Sequence, residues 1–258
     1  MPAGMLADWA AGFALAAASW FFATGAVLWL DRRPPDTYPA SLVAATALAG
    51  VATAAVLVTA GMDRSAAAWA AFLAALVIWG WHELSFLMGM VTGPRRLPCP
   101  EGARGWRRFR FATAALIHHE IALAATAILL FLITWGQPNQ AAPLTFLLLF
   151  VMRLSAKLNI FLGVPHMAHE MLPNHLAYLK TYFGTRRRSP LMLLSILASC
   201  ALLAALVVAA GHAPAGSAAA ATAVLLSALT LLAIVEHLCL MLPVRDSALW
   251  AWAMKTGE

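Results

Sequence analysis

Apolar runs and short polar breaks alternate along this chain. Seven of the runs are long enough to cross a bilayer as helices, at about 20 residues each. They lie near residues 6–30, 39–61, 66–92, 107–135, 142–162, 190–211 and 217–242. Gly and Pro punctuate most of the breaks, as in Asp31-Arg-Arg-Pro-Pro-Asp36, Gly93-Pro-Arg-Arg-Leu-Pro-Cys-Pro100 and Gly136-Gln-Pro-Asn139. The pattern predicts an all-α, polytopic membrane helix bundle of about seven transmembrane helices, one integral membrane domain over 1–258. The first run is too long, and too poor in preceding basic residues, for a cleaved signal peptide. The longest loop, about 163–189, has room for one short interfacial helix.

Composition agrees and excludes the alternatives. Apolar residues make up 62% of the 258 positions and charged residues only 11%, so the charge supply cannot cover a soluble globule. Disorder needs the opposite bias. Three scattered cysteines form no disulfide framework. The net charge of +6 is distributed as membrane topology requires, so nucleic acid is not an expected partner.

Charge also predicts orientation. Arg32 and Arg33, Arg95 to Arg110, Lys180 with Arg186 to Arg188, and Arg245 with Lys255 fall on one side if there are seven spans. The other side holds only Arg64. Basic residues collect in the cytoplasm, so the expectation is an N-terminus outside and a C-terminus inside.

Three acidic residues interrupt the apolar runs, each beside histidine: His82-Glu83, His118-His119-Glu120 and Glu236-His237. A charge near the bilayer centre costs at least about 2.5–3.5 kcal/mol, so such residues point to function or to tight pairing. At 1.5 Å per residue, His82 lies about 15 Å, Glu120 about 20 Å and Glu236 about 9 Å from the inner ends of their runs. Arg153 and Lys157 on the fifth run share this layer, with Asn159 nearer its end.

Imidazole with carboxylate suits zinc, iron or manganese, and the set could hold one or two transition-metal ions, iron first. Bundle metal pairs favour Glu-x-x-His spacing. Here the two residue types are adjacent, so they diverge by about 100° and one of each pair would ligate while the other supports it. Which of His118 and His119 faces inward depends on helix rotation, with His119 preferred. A structural knot is the competing reading, the same groups pairing with one another or with Arg153 and Lys157. A tetrapyrrole or quinone headgroup contact is the third. No catalytic residue is assigned.

A second cluster sits in the fifth loop. His166, His169 and Glu170 would share a helical face, and His175 follows in Pro173-Asn-His175. This loop reads as interfacial, or as folding under the bundle to cap the Glu/His layer. Cys99 reads as a reduced loop thiol. Trp9, Trp29, Trp106 and Trp250 read as interface anchors, while Trp79 and Trp81 read as packing beside His82. The Arg104–Arg110 stretch reads as a lipid-facing basic girdle.

Several long strings resemble one family. They are Trp79-Gly-Trp-His-Glu-Leu-Ser-Phe86, Gly93 to Pro100, Gly102-Ala-Arg-Gly-Trp-Arg-Arg-Phe109 and Ala115-Leu-Ile-His-His-Glu-Ile-Ala-Leu123. Met152 to Val164, Leu172-Pro-Asn-His-Leu-Ala-Tyr-Leu179, Glu236-His237, Leu242-Pro243, Asp246 and Leu249-Trp-Ala-Trp252 continue it. The family is the photosynthetic complex assembly protein 2 family, PuhE, of purple-type phototrophic bacteria. The resemblance covers about 75–252 and implies an inner-membrane protein connected with assembly of the reaction centre and its core antenna. It also implies a link to bacteriochlorophyll supply. The expected partners are therefore reaction-centre or antenna subunits, or pigment-biosynthesis proteins. His175 belongs to the family pattern and so joins His82, Glu83, His118, His119, Glu120, Glu236 and His237 as a candidate metal ligand, whereas His166 and His169 do not belong to it.

Two classes of function follow. One is a non-catalytic assembly factor that holds a pigment, such as bacteriochlorophyll or another tetrapyrrole, or steadies partner helices. The other is a membrane metalloenzyme, a di-iron-type oxidase acting on a pigment, quinone or other lipophilic substrate. In it His82, Glu83, His119, Glu120, Glu236 and His237 would hold metal, with Arg153 and Lys157 balancing charge.

Overall fold

Helices dominate the computed structural model, which describes residues 3–166, 171–185, 189–244 and 246–254. Seven long helices match the seven apolar runs: α1 Ala3–Asp31, α2 Tyr38–Ala60, α3 Ser65–Leu87, α4 Gly105–Ile133, α5 Ala141–Leu162, α6 Pro190–His212 and α7 Ala218–Cys239. All seven are long and apolar enough to cross a membrane. A short α8, Ala251–Met254, follows a 3-10 segment at Asp246–Trp250. The starts of α6 and α7 are capped by serine. Ser189 Oγ accepts from Leu191 N, and Ser217 Oγ accepts from Ala220 N.

Two helices end earlier than the apolar runs suggest. The third run continues to residue 92, but α3 stops at Leu87 because Gly89 takes φ +75°, a left-handed turn. The chain then folds back, with Met90 N and Val91 N both donating to Ser85 O. The seventh run reaches 242, but α7 stops at Cys239, close to Pro243, which cannot continue a helix.

α3 and α7 form the centre. Their apolar windows are 61% and 72% buried, against 11–22% for the other five helices, which present more surface to lipid. At one end the two central helices approach through small residues, Ala68 and Ala71 sharing a core cluster with Ala218 and Ala221. Phe72 and Leu76 then pack with Leu225 and Leu229.

The loops interlock at both ends. At one, Asn139 N donates to Ala60 O, Ser65 N to Gly216 O, and Ala218 N to Asp63 Oδ1. This brings together the connections α2–α3, α4–α5 and α6–α7. At the other, a 3-10 run at Asn174–Tyr182 packs Leu176, Leu179 and Tyr182 against Phe86, Leu87 and Ala115. Arg95 Nε donates to Tyr182 Oη at 2.8 Å, and Arg108 donates to the carbonyls of Phe161 and Tyr182. Arg108 is therefore an internal staple and not part of a lipid-facing girdle. Trp250 is likewise buried: its indole donates to Phe21 O at 3.0 Å, docking the C-terminal segment on α1, where an interface anchor was expected.

Among the described residues, the second end carries Arg32, Arg33, Arg95, Arg96, Arg104, Arg107, Arg108, Arg110 and Lys180, and the first carries Arg64. Arg186 to Arg188, Arg245 and Lys255 lie outside the described residues.

Candidate functional site

α5 organises the polar layer. Arg153 and Lys157 are one helical turn apart and so share a face. Each captures a carboxylate on a neighbouring helix. Arg153 Nη2 lies 3.1 Å from Glu83 Oε2 on α3, and Lys157 Nζ lies 2.6 Å from Glu120 Oε1 on α4. In an apolar surrounding an isolated charge is costly, so opposite charges on adjacent helices are driven together. The two pairs cross-link α3, α4 and α5 at one level.

The histidines take separate places. His119 is fully buried, its ring 4.6 Å from that of Phe86 and its Nε2 3.8 Å from Glu83 Oε1. Neither ring nitrogen has a hydrogen-bond partner among the described residues, and neither does Glu83 Oε1. His118, one residue earlier, is exposed on the outer surface of α4. His82 Nε2 meets Thr126 Oγ1 at 2.9 Å. His237 Nδ1 meets Ala233 O at 2.8 Å and its Nε2 meets Ser155 Oγ at 3.0 Å. A carbonyl can only accept, so Nδ1 donates to Ala233 O, and Nε2 pairs with the Ser155 hydroxyl, which also meets Ser195 Oγ on α6. Asn159 is buried, and its amide donates to Ser155 O and to Ser195 Oγ, joining α5 to α6. His175 Nε2 donates to Leu87 O at 2.7 Å, closing the C-terminal end of α3.

Among the described residues no three His, Cys, Asp or Glu side chains gather as a metal-ligand group. The adjacent His and Glu diverge around their helices, and the α5 cations take the carboxylates while hydroxyls and carbonyls take most of the imidazoles. The donor set as placed does not fit a metal pair held by several convergent ligands. His166 is described, its backbone N donating to Leu240 O, whereas His169 and Glu170 lie outside the described residues. Cys99, Cys200 and Cys239 form no disulfide.

A cavity of about 410 Å³ lies beside the ion-paired layer. It opens where α3 and α7 leave their alanine contact: Leu76 and Leu229 begin its apolar walls, and α1 and α5 complete them with Trp20, Val27, Leu148 and Met152. Its polar rim is Glu83, Arg153, Lys157, Glu236 and His237. Met171, Leu172, Leu179 and Tyr182 close it from the loop side, with Trp250 from the C-terminal segment. Residues 171–183 of the fifth loop thus fold under the bundle. The sequence pattern put Glu83, Glu236, His237, Arg153 and Lys157 in one layer, which the fold turns into one rim, but gave no sign of Trp20 or Trp250 in the wall. Thr126, Ser155 and Ser195, the hydroxyl partners, were also not distinguishable from other hydroxyls on apolar helices.

These features define a polytopic membrane helix bundle with an ion-paired layer beside a partly open cavity. The chain belongs to the family described as "Protein of unknown function (DUF3623)", which matches residues 5–258. It is 37% identical over 243 residues to a Rhodobacter capsulatus protein described as "Uncharacterized 30.4 kDa protein in puhA 5′region", covering 93% of this chain and 88% of that one. No solved structure matches.

Proposed function

We propose that this protein is an integral membrane factor for assembly of the bacterial photosynthetic reaction centre–core antenna complex, or for its bacteriochlorophyll supply. The observation that carries the reading is the near full-length kinship with the Rhodobacter capsulatus protein of the puhA 5′ region. The resemblance of Trp79 to Phe86, Ala115 to Leu123 and Leu172 to Leu179 to the PuhE family supports it further. The geometry suits a holding role. Arg153 and Lys157 are engaged in joining helices around a cavity, and the cavity is of the size that takes a drug-sized lipophile. The basic end faces the cytoplasm in this reading, by the positive-inside rule, and the partners are photosynthetic subunits or pigment-biosynthesis proteins.

The test is complementation in a phototrophic host deleted for its own family member. Near-infrared spectra of the membranes measure the core complex, and extracted pigment measures bacteriochlorophyll. The expected result is a fall in core complex on deletion, restored by this chain. A fall in complex with normal free pigment selects assembly; a parallel fall in pigment selects supply. Unchanged membranes on deletion would reject both.

A further inference from the structure

We infer that the cavity binds a flat, conjugated lipophile whose polar edge presents carbonyl oxygens and no net charge. The inference stands on the cavity itself and does not rest on the assembly role.

Three observations select this class. The first is shape. Trp20, Trp79, Phe86 and Trp250 all line the cavity, so flat aromatic faces and edges recur around it. Two of them are held in place before any ligand arrives. Trp79 packs edge-on to Phe146 at 5.3 Å, and the Trp250 indole is tied to Phe21 O. Fixed aromatic walls favour a planar guest, because little ordering remains to be done on binding.

The second is donor count. An arginine offers five N–H donors and a lysine three. Glu83 engages one guanidinium nitrogen and Glu120 meets the Lys157 ammonium, while the Arg153 side chain is still 44% accessible. The carboxylate partners already have cations. What Arg153 still presents to a guest is therefore N–H, beside the Glu236 carboxylate, and what N–H selects is an acceptor such as a carbonyl.

The third is the charge balance. Arg153 and Lys157 face the cavity with Glu83 and Glu236, and Glu120 stands behind Lys157. Two cations among three carboxylates leave no positive excess for a phosphate or carboxylate headgroup. Against a cationic headgroup stands the accessible Arg153 guanidinium, and displacement of the probe by dodecyltrimethylammonium would overturn the neutral reading. A neutral acceptor is the head that neither set repels.

The test uses the full chain purified in mild detergent, with decylubiquinone as probe and tryptophan fluorescence as readout. N-acetyltryptophanamide in the same micelles corrects for quenching by free quinone. The expected result is saturable excess quenching at one probe per chain. Dodecyl phosphate and dodecyltrimethylammonium, added in excess, should not displace it. Ala23→Phe puts a bulky apolar side chain into the cavity wall and replaces no charged residue, and should weaken binding about tenfold or more with thermal unfolding unchanged. Arg153→Lys keeps the charge, removes the fork, and should weaken binding by a smaller factor. Linear quenching equal to the micelle control, undiminished binding by Ala23→Phe, or displacement by dodecyl phosphate would each overturn the inference. None of these outcomes bears on complementation, so failure here is distinct from failure of the assembly role.

Discussion

Arg153 on α5 and Glu83 on α3 meet at 3.1 Å within the apolar part of the bundle, the arginine half-exposed to the cavity and the glutamate nearly buried. The two residues are far apart in sequence, and their contact fixes the rotation of both helices. Removing the cation strands the carboxylate. Arg153→Met should therefore destabilise the protein by about 3 kcal/mol, the low end of the cost of breaking a buried pair, because the guanidinium is partly accessible. Adding Glu83→Gln to that variant should recover most of the loss. Thermal unfolding in detergent reads both; if the double variant is no more stable than Arg153→Met, the pair is not what holds the two helices.

The second pair, Lys157 with Glu120, is testable by exchange. Lys157→Glu alone sets two carboxylates face to face, and Glu120→Lys alone sets two cations face to face. The double exchange restores attraction at the same level. The expected coupling between the two changes is about 2 kcal/mol, within the range for residues in one ion pair. Additive losses would mean that the two side chains do not meet in the membrane.

Much of this architecture can be read from the chain because lipid leaves few options: an apolar run of helical length must span, and its backbone must bond to itself. The ends were less legible. α3 stops at Leu87 through a left-handed Gly89, and hydropathy does not register a turn made of apolar residues. The polar layer was legible as a layer, since Glu83, Glu120, Arg153 and Lys157 all interrupt apolar runs. Which group meets which was not, because adjacent His and Glu point about 100° apart and only helix rotation decides which faces inward. Rotation buries His119 and leaves His118 outside, and it sends His82 to Thr126 while its neighbour Glu83 goes to Arg153. Trp250 was unreadable for another reason: a tryptophan after the last span looks the same whether it lies in the interface or folds back onto α1.

His175 gives a local prediction. Its Nε2 donates to Leu87 O at the very end of α3, and its ring also lies against Gly89. His175→Ala should cost about 1 kcal/mol, the net value of one such hydrogen bond, and should raise amide exchange around residues 84–92 without altering exchange in α7. His175→Gln can donate to the same carbonyl and should retain part of the protection. Equal loss in both variants would remove the hydrogen bond as the cause.

Gly93 gives a steric one. A Cβ there would stand 2.3 Å from Ala114 O and 2.6 Å from Ala115 C, both backbone atoms of α4. Backbone cannot swing aside as a flexible side chain can. Gly93→Ala should lift the 88–95 segment off α4 and break the bond from His119 N to Thr92 O, at a cost of about 1–3 kcal/mol. Faster proteolysis of the α3–α4 connection, with helix content otherwise retained, is the expected result. Resistance equal to wild type would show that the connection sits farther from α4 than this.

His118 and His119 separate structure from function within two adjacent residues. His118 is exposed on α4, so His118→Leu should leave both stability and complementation near wild type. His119 is fully buried, and neither ring nitrogen has a hydrogen-bond partner among the described residues. A buried polar group without its hydrogen bond costs about 1–3 kcal/mol, and leucine has nearly the volume of histidine without that penalty. His119→Leu should therefore match or exceed wild type in thermal stability. If the imidazole is kept beside Glu83 for the protein's task, the same variant should fail to restore the core complex. Stability gained together with complementation lost would make His119 a working residue held at an energetic cost, as functional sites often are. Stability lost instead would mean that its nitrogens are satisfied within the fold, and His119 would then belong with His82 and His237 among the residues that join the helices.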